Sequence, residues 1–248
     1  MGNGCPWQRS CRLMRKTVAG QFAHMPIARQ AGDSGERGSS FSAEGIYLYW
    51  LPLGAGGNFV RLNGKVYEAV AARIQQRPPS DLYHSALQVV VPEGRYVIEQ
   101  TPVIDAHGSE RGVVAEGPVG ARWAGRFRIF RYEVRRWRDG VIPDVDEAVG
   151  GPHRLSSDLG DARRLRELVP QVPMLVWGRD EAGAGEMWNS NSIISWLIAR
   201  TGLDADSITP PAGGRAPGWN AGIVVAARQG GPAGRPPLLK RLLTNSSK

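Results

Sequence analysis

The sequence predicts an α+β fold in which an antiparallel sheet packs against one core helix. Three stretches carry this expectation. Residues 187–202 (MWNSNSIISWLIARTG) open with small polar residues, continue as an apolar run and stop at Gly202, the profile of a helix with both ends marked. Residues 81–91 and 95–101 are rich in β-branched and aromatic side chains, and Pro92, Glu93 and Gly94 between them form a turn, so the two pair as a hairpin. Residues 127–134 (FRIFRYEV) alternate and supply a third strand of the same sheet.

Taken in order, residues 1–44 are rich in Gly, Ser, Gln and Arg without a sustained period, a composition unable to offset its ordering entropy, and they read as a disordered tail. A single domain is expected over 45–227. It begins with a buried strand at 45–51 (GIYLYWL), which Pro52 ends. The glycines at 54, 56 and 57 make a loop, and Lys65 does not follow them in phosphate-binding spacing. Residues 65–76 place Val66, Ala69, Val70 and Ile74 on one side of a short amphipathic helix. After the hairpin, residues 113–124 read as Gly-rich and irregular, and 139–157 as a polar connection. Residues 161–169 (DARRLRELV) have helix-forming composition, with Pro170 and Pro173 at their exit. Residues 174–177 form a short apolar piece and 178–186 a loop before the capped helix. Residues 222–227 (GIVVAA) read as a last strand, and 228–248 as a basic disordered tail.

The net charge of +8 over 248 residues is unevenly placed. Residues 1–45 carry +3, residues 46–227 carry 20 basic and 20 acidic side chains, and residues 228–248 carry +5. Nucleic-acid binding is therefore expected only through the tails. No apolar run approaches the roughly 18 residues a bilayer span needs, and residues 1–30 lack the continuous apolar core of a secretory leader, so the expected location is the cytoplasm. Both cysteines, Cys5 and Cys11, fall in the first tail, which removes a structural disulfide, a cysteine zinc site and a cysteine nucleophile from the expected domain.

Function must then be argued from sparse polar residues. Asn189 can cap the helix by accepting a first-turn amide hydrogen. Ser190, Ile193, Ile194 and Leu197 follow helical spacing, which puts Ser190 on the buried stripe and in a first turn whose amides favour negative charge. Ser190 reads either as one more capping residue or as a nucleophile beside an oxyanion site. His84 lies among Leu82, Ala86 and Leu87, where a titrating imidazole needs a reason to be, and Glu99 follows Val97 and Ile98, where an unpaired carboxylate is costly to bury. A hairpin loop of two or four residues puts His84 and Glu99 on one side of the sheet; a loop of three substitutes Gln100. Three weaker candidates accompany them. Asp144, Asp146 and Glu147 could hold a divalent cation or simply be solvated. Asp105 and His107 form an isolated pair. The run Arg135-Arg136-Trp137-Arg138 has the basic and aromatic character of single-strand binders, or of an ordinary strand end.

A strand with an internal His, a turn, a strand containing Val-Ile-Glu and, much later, a helix opening Asn-Ser-Asn together resemble the circularly permuted papain-like hydrolases, which include NlpC-type cell-wall peptidases and lecithin:retinol acyltransferase-like proteins. The resemblance covers about residues 46–227. In that family the order is His, a polar orienting residue, and a Cys at the start of the core helix, often as Asn-Cys-Asn. Here His84 stands at the histidine, Glu99 at the orienting residue, and Ser190 where the family has cysteine. A thiolate forms readily at a helix N-terminus beside histidine, whereas a serine hydroxyl needs full general-base help.

The resemblance implies a hydrolase or acyltransferase acting on an amide or ester of a small molecule, lipid or peptide. Ser190 would attack, His84 would act as base and Glu99 or Gln100 would orient it. Asn189, Asn191 and Trp188 would support the site, with no cofactor. The alternative is a domain that has lost catalysis and still binds.

Overall fold

The computed structural model of the protein describes residues 43–53, 80–103 and 111–230. The expected helix at 65–76, the loop at 54–57, the Asp105–His107 pair, both cysteines and nearly all of both tails lie outside the described residues.

Strand β1 spans Gly45–Pro52, β2 Asp81–Val91 and β3 Gly94–Pro102. The β2–β3 hairpin closes with Val91 opposite Gly94, so the turn is the two residues Pro92 and Glu93. Strands β4 (Val113–Pro118), β5 (Arg131–Arg138), β6 (His153–Ser156) and β7 (Gly214–Arg215) complete a seven-stranded sheet. Its order is β4-β5-β3-β2-β1-β6, antiparallel throughout, with β7 added to the start of β2 in parallel.

Two strands lie where irregular chain was expected: β4 in the Gly-rich stretch and β6 in the polar connection. The third expected strand is displaced, because β5 starts at Arg131 while residues 122–126 and 128–130 form 3-10 turns. The alternation of residues 127–130 is real but has nothing to pair with. On one side β4 ends in Pro118 opposite Arg131, and on the other β3 ends in Pro102 opposite Tyr132. A proline cannot donate to a ladder, so both neighbours stop at the same level.

Three helices lie among the described residues. Helix α1 (Leu159–Leu168) is capped by Asp158, whose side chain accepts from the Asp161 N–H, and it buries Ala162, Leu165 and Leu168. Helix α2 (Ser190–Thr201) is the capped segment, closed by Gly202 at φ 97°. Helix α3 (Trp219–Arg228) replaces the strand expected at 222–227. Its buried residues Ala221, Gly222, Val225 and Ala226 have helical spacing, and their small size lets α3 lie close against α2. A Cβ on Gly222 would collide with the Ser192 carbonyl and the Ser195 hydroxyl.

All three helices cover one face of the sheet. The main core there joins Ile46, Leu48 and Trp50 of β1, Tyr83, Leu87, Val89 and Val91 of β2, Ile98 of β3, and Tyr132 and Val134 of β5 to Ile193, Ile194, Leu197 and Ile198 of α2. Each of these four α2 side chains contributes about 1.5–3 kcal/mol by leaving water. The far face carries a smaller cluster of Tyr47, Tyr49, Leu51, Ala86, Val97 and Ile142.

Candidate functional site at the start of helix α2

Helix α2 opens with a reciprocal cap. Asn189 Oδ1 accepts from the Ser192 N–H at 3.3 Å, and the Asn189 N–H donates to Ser192 Oγ at 3.1 Å. The remaining polar groups of the Asn-Ser-Asn-Ser run reach outward to neighbouring chain. Asn191 is buried; its Oδ1 accepts from Ser85 Oγ at 2.9 Å, and its Nδ2 donates to the carbonyls of Tyr83 at 2.9 Å and Pro217 at 3.0 Å. Asn189 Nδ2 also donates to Pro217 O, Ser192 Oγ to Gly218 O, and Ser195 Oγ to Trp219 O, at 2.7–2.8 Å. From the loop before α2, Glu186 accepts from the Gly218 N–H at 2.8 Å.

These bonds hold residues 217–219, the entry to α3, against both α2 and the start of β2. The motif is therefore a clamp. Each buried bond contributes about 1 kcal/mol net, and an orphaned partner costs about 1–3 kcal/mol. Trp188 is fully buried in the helix-side core, bridged to Trp177 along the preceding loop.

Ser190 itself is only partly buried, while Asn191, Ser192 and Ser195 are enclosed. The expected buried stripe is thus corrected: the deeply placed polar residues of this helix are its neighbours. No hydrogen bond ties the Ser190 hydroxyl to any described residue.

The structure does not bring His84 to Ser190. Along β2 the odd-numbered residues face the helices: Tyr83, Leu87, Val89 and Val91 lie in the helix-side core, and Ser85 reaches Asn191. His84 pairs with Leu51, a member of the far-face cluster, so its ring lies on the opposite face of the sheet from α2. The expected base and nucleophile are separated by the strand itself. Burial lowers the His84 pKa to about 4, an effect that Asp144 only partly opposes, and the ring is neutral at pH 7.

That shift sets a pH dependence. Unfolded histidine titrates near 6.5 while folded His84 resists protonation until about pH 4, so between these values the unfolded chain binds the extra proton. Stability is therefore lost as pH falls. Wild type is expected to lose about 2–3 kcal/mol between pH 6.5 and 4 relative to a His84→Leu variant, followed by urea unfolding at each pH. Parallel profiles for the two proteins would contradict a half-buried imidazole held neutral by the fold.

Glu99 shares the far face with His84, as the two-residue turn requires, but its carboxylate has another partner. It accepts from Arg135 Nη1 at 3.0 Å, and Arg135 Nε donates to Glu133 Oε1 at 2.6 Å. Arg111 approaches Glu133 at 3.7 Å. Glu99, Glu133 and Arg135 are all buried, and burial raises the Glu99 pKa despite Arg135. In place of an orienting carboxylate there is a structural ion network, and Arg135 belongs to it instead of to a single-strand-binding run.

Gln100 falls on the helix side, paired with Val134, and both of its amide atoms are buried without a hydrogen-bond partner. Asp144, Asp146 and Glu147 form an exposed 3-10 turn, and no group of three metal-ligating side chains occurs among the described residues.

A ligand-sized feature lies beside the clamp. Trp50, the cross-strand partner of Ser85, packs on Trp219 with ring centroids 5.0 Å apart and lines an open cavity of about 340 Å³. Val149, Ile208 and Pro211 give the cavity apolar walls, while His153, Ser207 and Thr209 give it hydrogen-bonding groups. Sequence reasoning missed this cavity because its residues come from three separated stretches, none with a motif. The clamp did leave a signal. Ser85 is the one polar residue in the row Tyr83, Ser85, Leu87, Val89 and Val91, and so calls for a polar partner on the helix.

No helix among the described residues is long and apolar enough to cross a membrane. No known protein family, curated protein or solved structure matches the chain.

Proposed function

We propose that the chain is a non-catalytic binding domain, with the Trp50 cavity as its ligand site, on a scaffold similar in element order to the permuted papain-like hydrolases. The observation that carries this reading is the placement of His84 and Ser190 on opposite faces of the sheet. Support comes from the fate of the other residues a hydrolase would use: Asn189 and Asn191 are consumed by the clamp, and Glu99 by Arg135. A volume near 340 Å³ with apolar walls and a few convergent polar groups suits a small organic ligand.

On the side of chemistry stands only the unengaged Ser190 hydroxyl at a helix N-terminus. A fluorophosphonate probe decides between the two. The full-length protein is expected to show no labelling above that of Ser190→Ala. Ser190→Cys is expected to gain iodoacetamide reactivity over wild type, because a helix N-terminus favours the thiolate. Wild-type labelling abolished by both Ser190→Ala and His84→Ala would establish a hydrolase and overturn the binding-domain reading.

A further inference from the structure

The 3-10 segment between β4 and β5 exposes an unusual combination of side chains. Trp123 is 59% exposed, Phe127 50% and Ile129 38%, three large apolar residues within seven positions. Arg122, Arg126 and Arg128 are exposed among them, and no acidic residue occurs from Gly117 to Tyr132. Single exposed apolar residues need no explanation, but a cluster of this kind marks an interaction surface. Arg122 is paired with Glu181. Arg126 instead lies over two rings, its Cζ 5.7 Å from the Trp123 centroid and 5.2 Å from that of Phe127.

We propose that residues 122–129 form a peripheral docking surface for an anionic lipid bilayer. Charge complementarity selects an anionic partner, because cationic residues next to a negatively charged leaflet each add attraction. The apolar residues select lipid over the other polyanions. Ile129 has no planar face on which a nucleobase could stack, and Arg126 already covers faces of Trp123 and Phe127 that a base would use. Neither feature opposes insertion at a membrane interface. There Trp and Phe sit at the acyl boundary, and arginine buries its stem while holding its guanidinium among headgroup phosphates. The surface is separate from the α2 clamp and the Trp50 cavity, and the inference stands whichever way the Ser190 experiment falls.

Co-sedimentation of the full-length protein with large unilamellar vesicles tests it. Vesicles of pure phosphatidylcholine are compared with vesicles containing 30% phosphatidylglycerol, a composition chosen as about that of an anionic leaflet. Partitioning is expected to be at least about tenfold stronger on the anionic vesicles and to fall with added salt. Arg126→Gln is expected to weaken it about fivefold. Trp123→Ser combined with Ile129→Ser should weaken it at least about tenfold while the protein still unfolds cooperatively, because neither side chain belongs to the buried core.

The double apolar substitution separates this surface from the basic residues at 228–248, whose attraction to the vesicles it leaves intact. Anionic vesicle binding that is absent, or that survives the apolar substitution, overturns the proposal. So does a single-stranded oligonucleotide or polyglutamate that binds more tightly than the vesicles and loses that binding with Trp123→Ser.

Discussion

Replacing Arg135 by Met is expected to destabilise the protein by about 3–5 kcal/mol, the usual consequence of leaving buried charge without its partner. Arg135 is the only side chain bonded to both Glu99 and Glu133 among the described residues, at 3.0 and 2.6 Å. Glu133 is 1% exposed and Glu99 7%, so neither carboxylate can turn to water when the guanidinium goes. Arg111 lies 3.7 Å from Glu133 and makes no ion pair with Glu99. Adding Glu99→Gln and Glu133→Gln to Arg135→Met is expected to restore much of the loss, because the penalty comes from the orphaned charges and not from the absence of the pair. Urea unfolding of wild type, Arg135→Met and the triple variant gives the comparison. A loss under about 1 kcal/mol in Arg135→Met would mean that the network is solvated and that Glu99 is available for other work.

The second large effect is expected at Gly222, on the face of α3 that meets α2. Any side chain there points at the Ser192 carbonyl oxygen and the Ser195 hydroxyl, and Ser195 Oγ is also needed for the bond to the Trp219 carbonyl. Gly222→Val must either separate the helices or break that bond, at an expected cost above about 3 kcal/mol by overpacking and loss of buried hydrogen bonds together. Gly222→Ala is expected to cost about 1–3 kcal/mol even though alanine is the better helix former by about 1 kcal/mol. Thermal unfolding of both variants reads this directly. A stabilised Gly222→Ala would show that the two helices have room between them.

Much of the frame was legible. Asn189 as the cap of α2, Gly202 as its stop and the helix around residues 161–168 follow from local chemistry and occur, while the turn expected over Pro92, Glu93 and Gly94 is one residue shorter, with Gly94 already in β3. The strand expected at 222–227 failed because an apolar run of six has no intrinsic period; the small residues at 221, 222, 225 and 226 were the signal for a close helix contact. Strand β5 was displaced because a ladder ends where its neighbours end, and Pro102 and Pro118 lie far from residue 127 in sequence.

The candidate site failed for a subtler reason. The hairpin turn fixes His84 and Glu99 on one side relative to each other, but not which side the helices cover. That choice is written in composition. From Tyr83 onward the odd row of β2 is apolar apart from Ser85, whereas the even row holds His84 and Gln88, and the apolar row takes the helices. The Asn-Ser-Asn-Ser run was read as a cap or a nucleophile segment, and what its buried side chains do for the protein is to join three distant segments.

The clamp also bears on how the protein is made. Asn191 bonds Ser85 and the Tyr83 carbonyl across 106 and 108 positions of sequence. On the ribosome, at roughly 5–20 residues per second, the row of Tyr83, Leu87, Val89 and Val91 emerges about 5–20 s before helix α2 exists to cover it. For that interval the apolar row lacks its α2 cover, and for most of it α1 is absent as well. A nascent chain truncated before residue 190 is therefore expected to bind a holdase chaperone more strongly than the full-length protein does, and equal binding of the two would show that the row is covered without α2.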